Sequence, residues 1–347
     1  MSLEAFVDIR FADPVLALSM RRSSLIYGTA LGRILYYDLE TRQEQVIAEF
    51  SEECIRGVFI SSENVLYVAV GDHYCMALVN PENSEAQRHL VYHESNHSNE
   101  TCQTTQVLMH DELVCLVKLG AVVGEHTPVF LTHIPSQVKM SYEIPLLPEH
   151  SVPYDFDGNK LLWMEWSSDM SKVFKYFDFS SREIKEAVTF SKSFGHITQV
   201  KLLPDSLLIV QNYRKIRIYD ITNGVERNFL GSVKSDIVAI NFYFTRDPAD
   251  NTNEQEGIFE QNLGISKFVV VTAQTEGSIC IWDYQGLAEV IRIKDLEALT
   301  PTYQRMQYFA MGYPYYLCVS DSKIAFSTDL GTIVVKSDFL ARLNSNP

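Results

Sequence analysis

Apolar and polar positions follow one another along most of this chain in short runs separated by polar turns. The runs are rich in Val, Ile, Tyr and Phe, which is typical of β-strands, and amphipathic helical spacing is almost absent. Several near-continuous apolar runs follow a polar turn, as expected for strands that are covered on both faces. These runs read LIYGT, VLYVAVG, ELVCLVKL, KLLWMEW and LLIVQN. The pattern predicts an all-β protein built from many short antiparallel strands.

One stretch, TAQTEGSICIWD at residues 272–283, recurs in weaker form along the chain. Residues 27–38 (YGTALGRILYYD) and residues 326–337 (FSTDLGTIVVKS) fit the same frame, and four further stretches keep only its strand pattern. The positions equivalent to Trp282 are then Tyr37, Val79, His133, Phe177, Tyr219 and Lys336. Their spacing of 42 to 63 residues suits the repeats of about 40–45 residues that build β-propellers, with some copies lengthened by loops.

The repeat count predicts the architecture. A four-stranded sheet cannot bury both of its faces by itself, whereas radial stacking of such sheets can. Seven copies use the whole chain, 1–347, and predict one domain, a seven-bladed β-propeller of four-stranded antiparallel blades. Residues 4–11 (EAFVDIRF) alternate like a strand but belong to no complete repeat, and the last copy lacks a fourth strand. We therefore expect the N-terminal strand to complete the last blade and close the ring, which leaves no terminal blade as a free edge.

Residues 272–283 also resemble the repeat of the WD-repeat β-propeller family. The family's motif is matched at Thr272, Gly277, Ile279, Trp282 and Asp283. Gly195-His196 is similar to the family's Gly-His dipeptide. The resemblance implies a propeller in which a His, a strand Ser or Thr, a turn Asp and the Trp form a structural hydrogen-bond network. No repeat of this chain carries the full set, so the resemblance implies the fold and says little about function.

Charge and cysteine usage narrow the class of partner. The chain has 29 Lys and Arg against 44 Asp and Glu, a formal net charge of −15, which would repel a phosphate backbone or an anionic membrane. We therefore expect other proteins as partners, some with basic surfaces, and neither direct nucleic-acid binding nor a membrane span.

No signal peptide is visible, and four of the six cysteines lie in apolar runs, as in proteins of a reducing compartment. These features favour a cytoplasmic protein.

Two stretches suggest a metal site at first reading. His89, His93 and His97 would stack on one face of a helix, but the Ser and Asn residues among them are poor helix formers, so we expect a connecting loop there. The insertion 246–266 fails the spacing of a calcium loop when Gly257 takes the glycine position.

The sequence contains no nucleophile elbow, phosphate-binding loop or dinucleotide fingerprint. It predicts no catalytic residue, no metal and no cofactor.

Two groups of residues are candidates for binding a partner. The acidic insertion should project from one rim of the propeller as a mobile loop between the first two strands of blade six. Its candidate residues are Asp247, Asp250, Glu254 and Glu256. On the opposite rim we expect His126 within a long loop at 118–128, together with Trp166 and a turn at Tyr213-Arg214. Aromatic residues and Arg are enriched at interface hot spots.

The predicted function is a non-enzymatic interaction scaffold, a subunit or adaptor of a larger multiprotein complex. Rigid blades would hold short variable loops in fixed relation to one another. Two alternatives stay open here. One is a substrate receptor of a ubiquitin ligase, although Trp-Asp-Tyr-Gln at 282–285 departs from the receptor signature Trp-Asp-x-Arg. The other is an enzyme that uses the central channel of the propeller.

Overall fold

The structure is a computed structural model. It describes residues 5–10, 15–50, 55, 57–60, 66–70, 74–79, 87–93, 104–110, 113–119, 126–133, 136, 138–145, 152–203, 206–244, 268–274, 278–283, 286–292, 316–320, 322–328 and 331–345. Within these ranges nearly all regular structure is β-strand.

The strands, in chain order, are β1 Ala5–Arg10, β2 Val15–Arg21, β3 Ser24–Thr29, β4 Arg33–Asp38, β5 Glu44–Glu49, β6 Gly57–Ile60, β7 Leu66–Val70, β8 Tyr74–Val79, β9 Gln87–His93, β10 Thr104–His110, β11 Leu113–Leu119, β12 His126–His133, β13 Val138–Pro145, β14 Val152–Phe156, β15 Lys160–Trp166, β16 Lys172–Asp178, β17 Glu183–Phe190, β18 Ile197–Leu203, β19 Ser206–Gln211, β20 Lys215–Asp220, β21 Glu226–Ser232, β22 Ile237–Phe244, β23 Phe268–Gln274, β24 Ser278–Asp283, β25 Gly286–Arg292, β26 Tyr316–Ser320, β27 Lys323–Thr328 and β28 Gly331–Lys336. A single-turn 3₁₀ helix spans Lys192–Phe194, and the described chain ends in the helix α1, Asp338–Ser345.

The described strands form seven four-stranded sheets. In six of them, four consecutive strands lie side by side in chain order, and these sheets are β2–β5, β6–β9, β10–β13, β14–β17, β18–β21 and β22–β25. The remaining sheet has the order β1–β28–β27–β26, so its outer strand comes from the beginning of the chain. There β1 pairs antiparallel with β28, from Ala5 opposite Val335 to Arg10 opposite Gly331. The predicted all-β class and the four-stranded antiparallel sheets are confirmed.

The repeat marker falls at the same place in each sheet. Every position predicted as equivalent to Trp282 lies at the last or the penultimate residue of a third strand. The positions are Tyr37 in β4, Val79 in β8, His133 in β12, Phe177 in β16, Tyr219 in β20, Trp282 in β24 and Lys336 in β28. The recurring pattern therefore marks the end of each third strand, as predicted.

The chain divides into two compact units, residues 1–55 with 230–347 and residues 56–229. Among the described residues, hydrophobic clusters join several neighbouring sheets within each unit. In the first unit, β22–β24 share one buried cluster with β26–β28, and β2–β4 share another with β26–β28. In the second unit, β14–β17 share buried clusters with β11–β13 and with β18–β20. Every residue of the second strands β3 and β19 is buried, because both faces of these strands are covered.

The Asp that ends several third strands has a structural task. Its carboxylate accepts backbone N–H groups of the turn that follows, so it caps the connection to the fourth strand. Asp38 Oδ1 accepts the N–H groups of Glu40 and Thr41 at 2.7 and 3.0 Å. Asp178 Oδ1 accepts those of Ser180 and Ser181 at 2.9 and 3.1 Å. Asp220 Oδ1 accepts the N–H of Thr222 at 2.7 Å. Burial by itself would raise the pKa of Asp220, but the N–H of Thr222 and the nearby Arg227 guanidinium outweigh it and lower the pKa. These carboxylates therefore act as fixed anionic caps.

Trp282 anchors a buried polar network in the sheet β22–β25. Its indole Nε1 donates to Thr272 Oγ1 at 2.9 Å, and Gln274 Nε2 donates to the same oxygen at 2.7 Å. Ser278 Oγ in turn donates to Gln274 Oε1 at 3.0 Å. The ring packs so closely on Gly231 (φ +150°) that a Cβ there would lie 2.7 Å from the Trp282 Cζ3 atom. The Trp–Thr bond that the WD-repeat resemblance implies is present, with Gln274 as its further partner.

Two local expectations are wrong. His126 lies not in a loop but at the first residue of β12, where its backbone pairs with Pro145. The stretch expected as a connecting loop around His89 and His93 contains β9, whose backbone pairs with β8 from Tyr74 opposite His93 to Val79 opposite Gln87.

The helix α1 was not predicted. It begins after Ser337, whose Oγ accepts the Leu340 N–H at 3.2 Å, and Leu340 is fully buried in the cluster between the last two sheets of the first unit. A helix this short shows too little periodicity to be recognised from its sequence, and its capping residue becomes informative only once the end of β28 is known.

We predict that Trp282→Phe destabilises the protein by about 1–3 kcal/mol. The substitution removes a buried donor from Thr272 and leaves a cavity beside Gly231. The matched control is Trp166→Phe, at a side chain that is largely exposed. Urea denaturation of both variants measures the difference, and equal stability of Trp282→Phe and the wild type would contradict the network.

Candidate functional site

Three loops of the second unit lie at one end of the sheets β14–β17 and β18–β21, and one of them, the linker, contacts the other two. They are the hairpin 166–172 between β15 and β16, the linker 191–196 between β17 and β18, and the turn 211–214 between β19 and β20. Together they present five side chains that we call the hairpin cluster: Trp166, Met170, Lys172, His196 and Tyr213. No two of these loops are adjacent in sequence, so only the fold brings them together.

Trp166 and Lys172 face each other across the hairpin. They are cross-strand partners, and the Lys172 Nζ lies 5.3 Å from the centre of the Trp166 ring. The ammonium also donates to the Gly195 carbonyl oxygen at 2.6 Å, which ties the hairpin to the linker. Trp166 is 47% exposed, whereas Lys172 is only 9% exposed. The lysine stem is thus covered, and its charge lies at the base of an exposed aromatic ring.

Met170 and Tyr213 occupy the tips of two hairpins in strained backbone conformations. Their φ angles are +65° and +60°, in the left-handed region that favours glycine. Both side chains are large and apolar and yet exposed, at 52% and 47%. Backbone strain and exposed apolar surface at the same positions are typical of functional loops rather than of packing residues.

Tyr213 is held in place by the linker. Its ring stacks on the His196 imidazole, with ring centres 5.5 Å apart and an angle of 7° between the planes. Asn212 and His196 are joined by two hydrogen bonds. Asn212 N–H donates to the His196 carbonyl at 2.7 Å, and His196 N–H donates to the side-chain Oδ1 of Asn212 at 2.8 Å. Arg214 N–H closes the turn on the Gln211 carbonyl at 3.1 Å. The aromatic surface is therefore organised before any partner arrives.

Gly195 permits this close approach of linker and turn. It has φ +96°, and a Cβ at this position would lie 2.7 Å from Asn212 Oδ1. Any other residue would push the turn away or adopt a strained backbone. The dipeptide Gly195-His196 thus shapes the hairpin cluster, and His196 is exposed there.

The local charge of the three loops is opposite to that of the whole chain. The three loops contain the cations Lys172, Lys192 and Arg214, and Lys215 follows at the first residue of β20. Asp169 is the sole carboxylate of the three loops. Asp169 is turned into its own hairpin, where it accepts from the Ser167 hydroxyl and from the Ser171 N–H. The Ser167 hydroxyl, followed by the Ser171 N–H, lowers the pKa of Asp169 to about 2.

Of the residues predicted from sequence, the structure brings together Trp166, Tyr213 and Arg214. His126 lies in the sheet β10–β13, and its side chain is outside what the structure describes. Asp247, Asp250, Glu254 and Glu256 lie between β22 and β23, in the stretch 245–267 outside the described residues.

Sequence reasoning missed Met170 and Lys172 as site residues. Met170 and Tyr213 both belong to the turn between the second and third strands of consecutive repeats. Aligning the two repeats would therefore have placed their tips at the same end of the sheets.

A separate recess of about 480 Å³ runs along the outer strand β13. In the described part of the chain it is lined by Ser141, Tyr142, Glu143, Phe177, Arg182 and Ile184. The Arg182 guanidinium lies over the Tyr142 ring at 5.9 Å, as in a cation–π contact that covers a sheet edge. Its lining combines one acid and one base with apolar side chains.

The described residues also bear on metal binding and on membrane insertion. Within the described ranges, no group of three or more His, Cys, Asp or Glu side chains could hold a metal ion. Among the same residues, no helix is both long and apolar enough to cross a membrane.

Comparison with known proteins identifies the fold. No family model matches the sequence, and no curated protein matches it. Among solved structures, the chain is similar to the WD40 β-propeller domain of Doa1, with 12% identity, a TM-score of 0.59 and coverage of 97% of each chain. It is also similar to the computationally designed Ika8 protein, with 12% identity, a TM-score of 0.56 and coverage of 96% of this chain and 99% of that one. The protein is a β-propeller, and the WD-repeat resemblance is confirmed at the level of the fold.

We predict that Tyr213→Gly is more stable than Tyr213→Ala by about 1 kcal/mol. Both substitutions remove the stack on His196, but only Gly relieves the positive φ. At Lys215, in the extended strand β20, the order should reverse, because Gly weakens a strand relative to Ala. Urea denaturation of the four variants gives both differences. An alanine variant at 213 as stable as the glycine variant would show that this backbone is not strained.

Proposed function

We propose that this protein is a non-enzymatic interaction scaffold, a subunit or adaptor of a larger assembly, and that the hairpin cluster is one of its partner-binding surfaces. The observation that carries the proposal is the exposure of Trp166, Met170 and Tyr213 on two turns that are both hydrogen-bonded to the linker 191–196. Propellers of the WD40 type are generally protein-interaction modules, which supports the same class of function.

The geometry of the hairpin cluster suits protein recognition. Aromatic anchors contribute a large part of the binding energy at interfaces, above all when they are held rigidly before binding. Here the Trp166 ring rests against Lys172, and the Tyr213 ring rests on His196. A partner that covers these rings would remove apolar surface from water without ordering the loops at the same time.

We further propose that residues 1–347 form one closed ring of seven blades, with β1 as the closing strand. The pairing of β1 with β28 supports this, as does the coverage of 97% of the chain by a single WD40 propeller domain.

The acidic insertion 246–266 would form a second surface, suited to a partner with a basic face. Cys115, Cys280 and Cys318 are buried and form no disulfide bond, which supports a cytoplasmic location. The ligase-receptor and channel-enzyme alternatives stay predictions from sequence.

Co-purification from native extract tests the scaffold proposal. We compare the wild type with Trp166→Ala/Tyr213→Ala and with a matched control, Val138→Ala/Val225→Ala, which truncates two apolar side chains of similar exposure outside the three loops. Quantitative mass spectrometry should show at least one stoichiometric partner that the first variant loses and the control keeps. If both variants keep the same partners, the hairpin cluster is not the surface. A wild-type chain that purifies alone as a monomer would contradict the scaffold role.

A further inference from the structure

We propose that the hairpin cluster binds an acidic segment of a partner protein, in which carboxylates alternate with aromatic or aliphatic side chains. This inference rests on the proposed function and names the chemistry of the partner. It runs against the overall charge of −15, from which basic partners are expected. What matters at a binding surface is the local arrangement of charges, since exposed charges more than about 10 Å away are largely screened.

Lys172 is the centre of this surface. Its ammonium has three N–H donors. One of them donates to the Gly195 carbonyl, and the Trp166 ring faces the charge. In the described part of the chain, no carboxylate lies within ion-pair distance of its Nζ atom. A nearly buried cation that faces only a carbonyl and an aromatic ring is costly, and a partner's carboxylate would provide the opposite charge.

The charges of the residues near Lys172 in the fold also favour an acidic partner. Lys192 and Arg214 come from the two other loops, Lys215 directly follows one of them, and all three are exposed. Asp169, the sole carboxylate in these loops, is engaged by Ser167 and Ser171 within its own hairpin. An approaching acidic chain would therefore meet three exposed cations in addition to Lys172, and the one local anion is already occupied by hydrogen bonds.

The apolar part of the surface determines the rest of the partner's chemistry. Trp166, Met170 and Tyr213 offer three exposed apolar groups beside these cations. A segment with only carboxylates would leave them uncovered, whereas a segment that also carries Leu, Phe or Trp covers them. An adaptable Met next to rigid aromatic rings suits side chains of varied shape.

A peptide segment fits these observations better than a nucleic acid or a lipid surface. A long polyanion would extend beyond the few cations of the three loops and meet the net negative charge of the protein. Bidentate recognition of a phosphate group requires the planar guanidinium of Arg, and this surface has three Lys and only one Arg.

The experiment uses the full chain and a displayed library of random peptides. Selection on the wild type should enrich sequences that combine Asp or Glu with Leu, Phe or Trp. One enriched peptide, labelled with a fluorophore, is then measured by fluorescence anisotropy beside a matched peptide in which every carboxylate is replaced by its amide. We expect the amide peptide to bind roughly tenfold more weakly or worse, and the affinity of the acidic peptide to fall with rising salt.

Two charge variants locate the contact. Lys172→Met keeps an unbranched apolar stem and removes the charge, and it should weaken binding of the acidic peptide roughly tenfold. Lys139→Met, in β13, makes the same change in net charge away from the three loops, and it should leave the affinity within about twofold. If Lys172→Met fails to fold in a thermal melt, the exposed pair Lys192→Met/Lys215→Met replaces it, with a loss expected at low salt.

Several results would overturn the inference. One is that the amide peptide binds as well as the acidic one. Another is that a phosphoserine peptide, a single-stranded oligonucleotide or phosphatidylserine-containing vesicles bind more tightly and with the same dependence on Lys172. If no acidic peptide is enriched while Trp166→Ala/Tyr213→Ala still loses a native partner, the acidic-segment inference is wrong and the scaffold proposal stands. If that variant keeps every native partner, the proposed surface itself is wrong.

Discussion

Burial on both faces of second strands such as β3 and β19 is the constraint on which the rest of this structure depends. In β3 and β19 every residue is buried, so a substitution in these strands alters the packing against the neighbouring sheets. Neighbouring sheets share their hydrophobic clusters, as in the packing of Leu162 and Phe174 with Leu207 and Tyr219. Side chains that give a protein of this fold its particular function therefore lie mainly on the loops, because core packing does not constrain the residues there.

The connections themselves are of two kinds. Turns between third and fourth strands are fixed by the terminal Asp, whose carboxylate satisfies backbone N–H groups at Asp38, Asp178 and Asp220. The hairpins with Met170 and Tyr213 at their tips present these large apolar side chains from residues with positive φ. The first kind explains why the motif recurs in the sequence. The second kind explains how an otherwise regular fold can carry a distinct surface.

The repeating part of the fold could be predicted from the sequence, because each copy repeats the same physical requirement. An apolar third strand that ends in an aromatic residue and Asp is visible at Tyr37, Phe177 and Tyr219 without any structure. The hairpin cluster could be predicted only in part. Trp166 and Tyr213 were recognisable as exposed aromatic residues, but their link through Lys172, Gly195 and His196 joins segments that are distant in sequence. The start of β12 at His126 depends on pairing with β13, which local composition does not reveal.

The central claim is that buried strands carry a loop surface that is rigid before any partner binds. Hydrogen exchange on the free protein tests it most directly. The account predicts that the amides of His196, Asn212 and Arg214, which bond linker to turn or close the turn, exchange far more slowly than unstructured chain and are protected together with β19. Exchange of these amides at the rate of unstructured chain, while β19 stays protected, would contradict a preorganised surface.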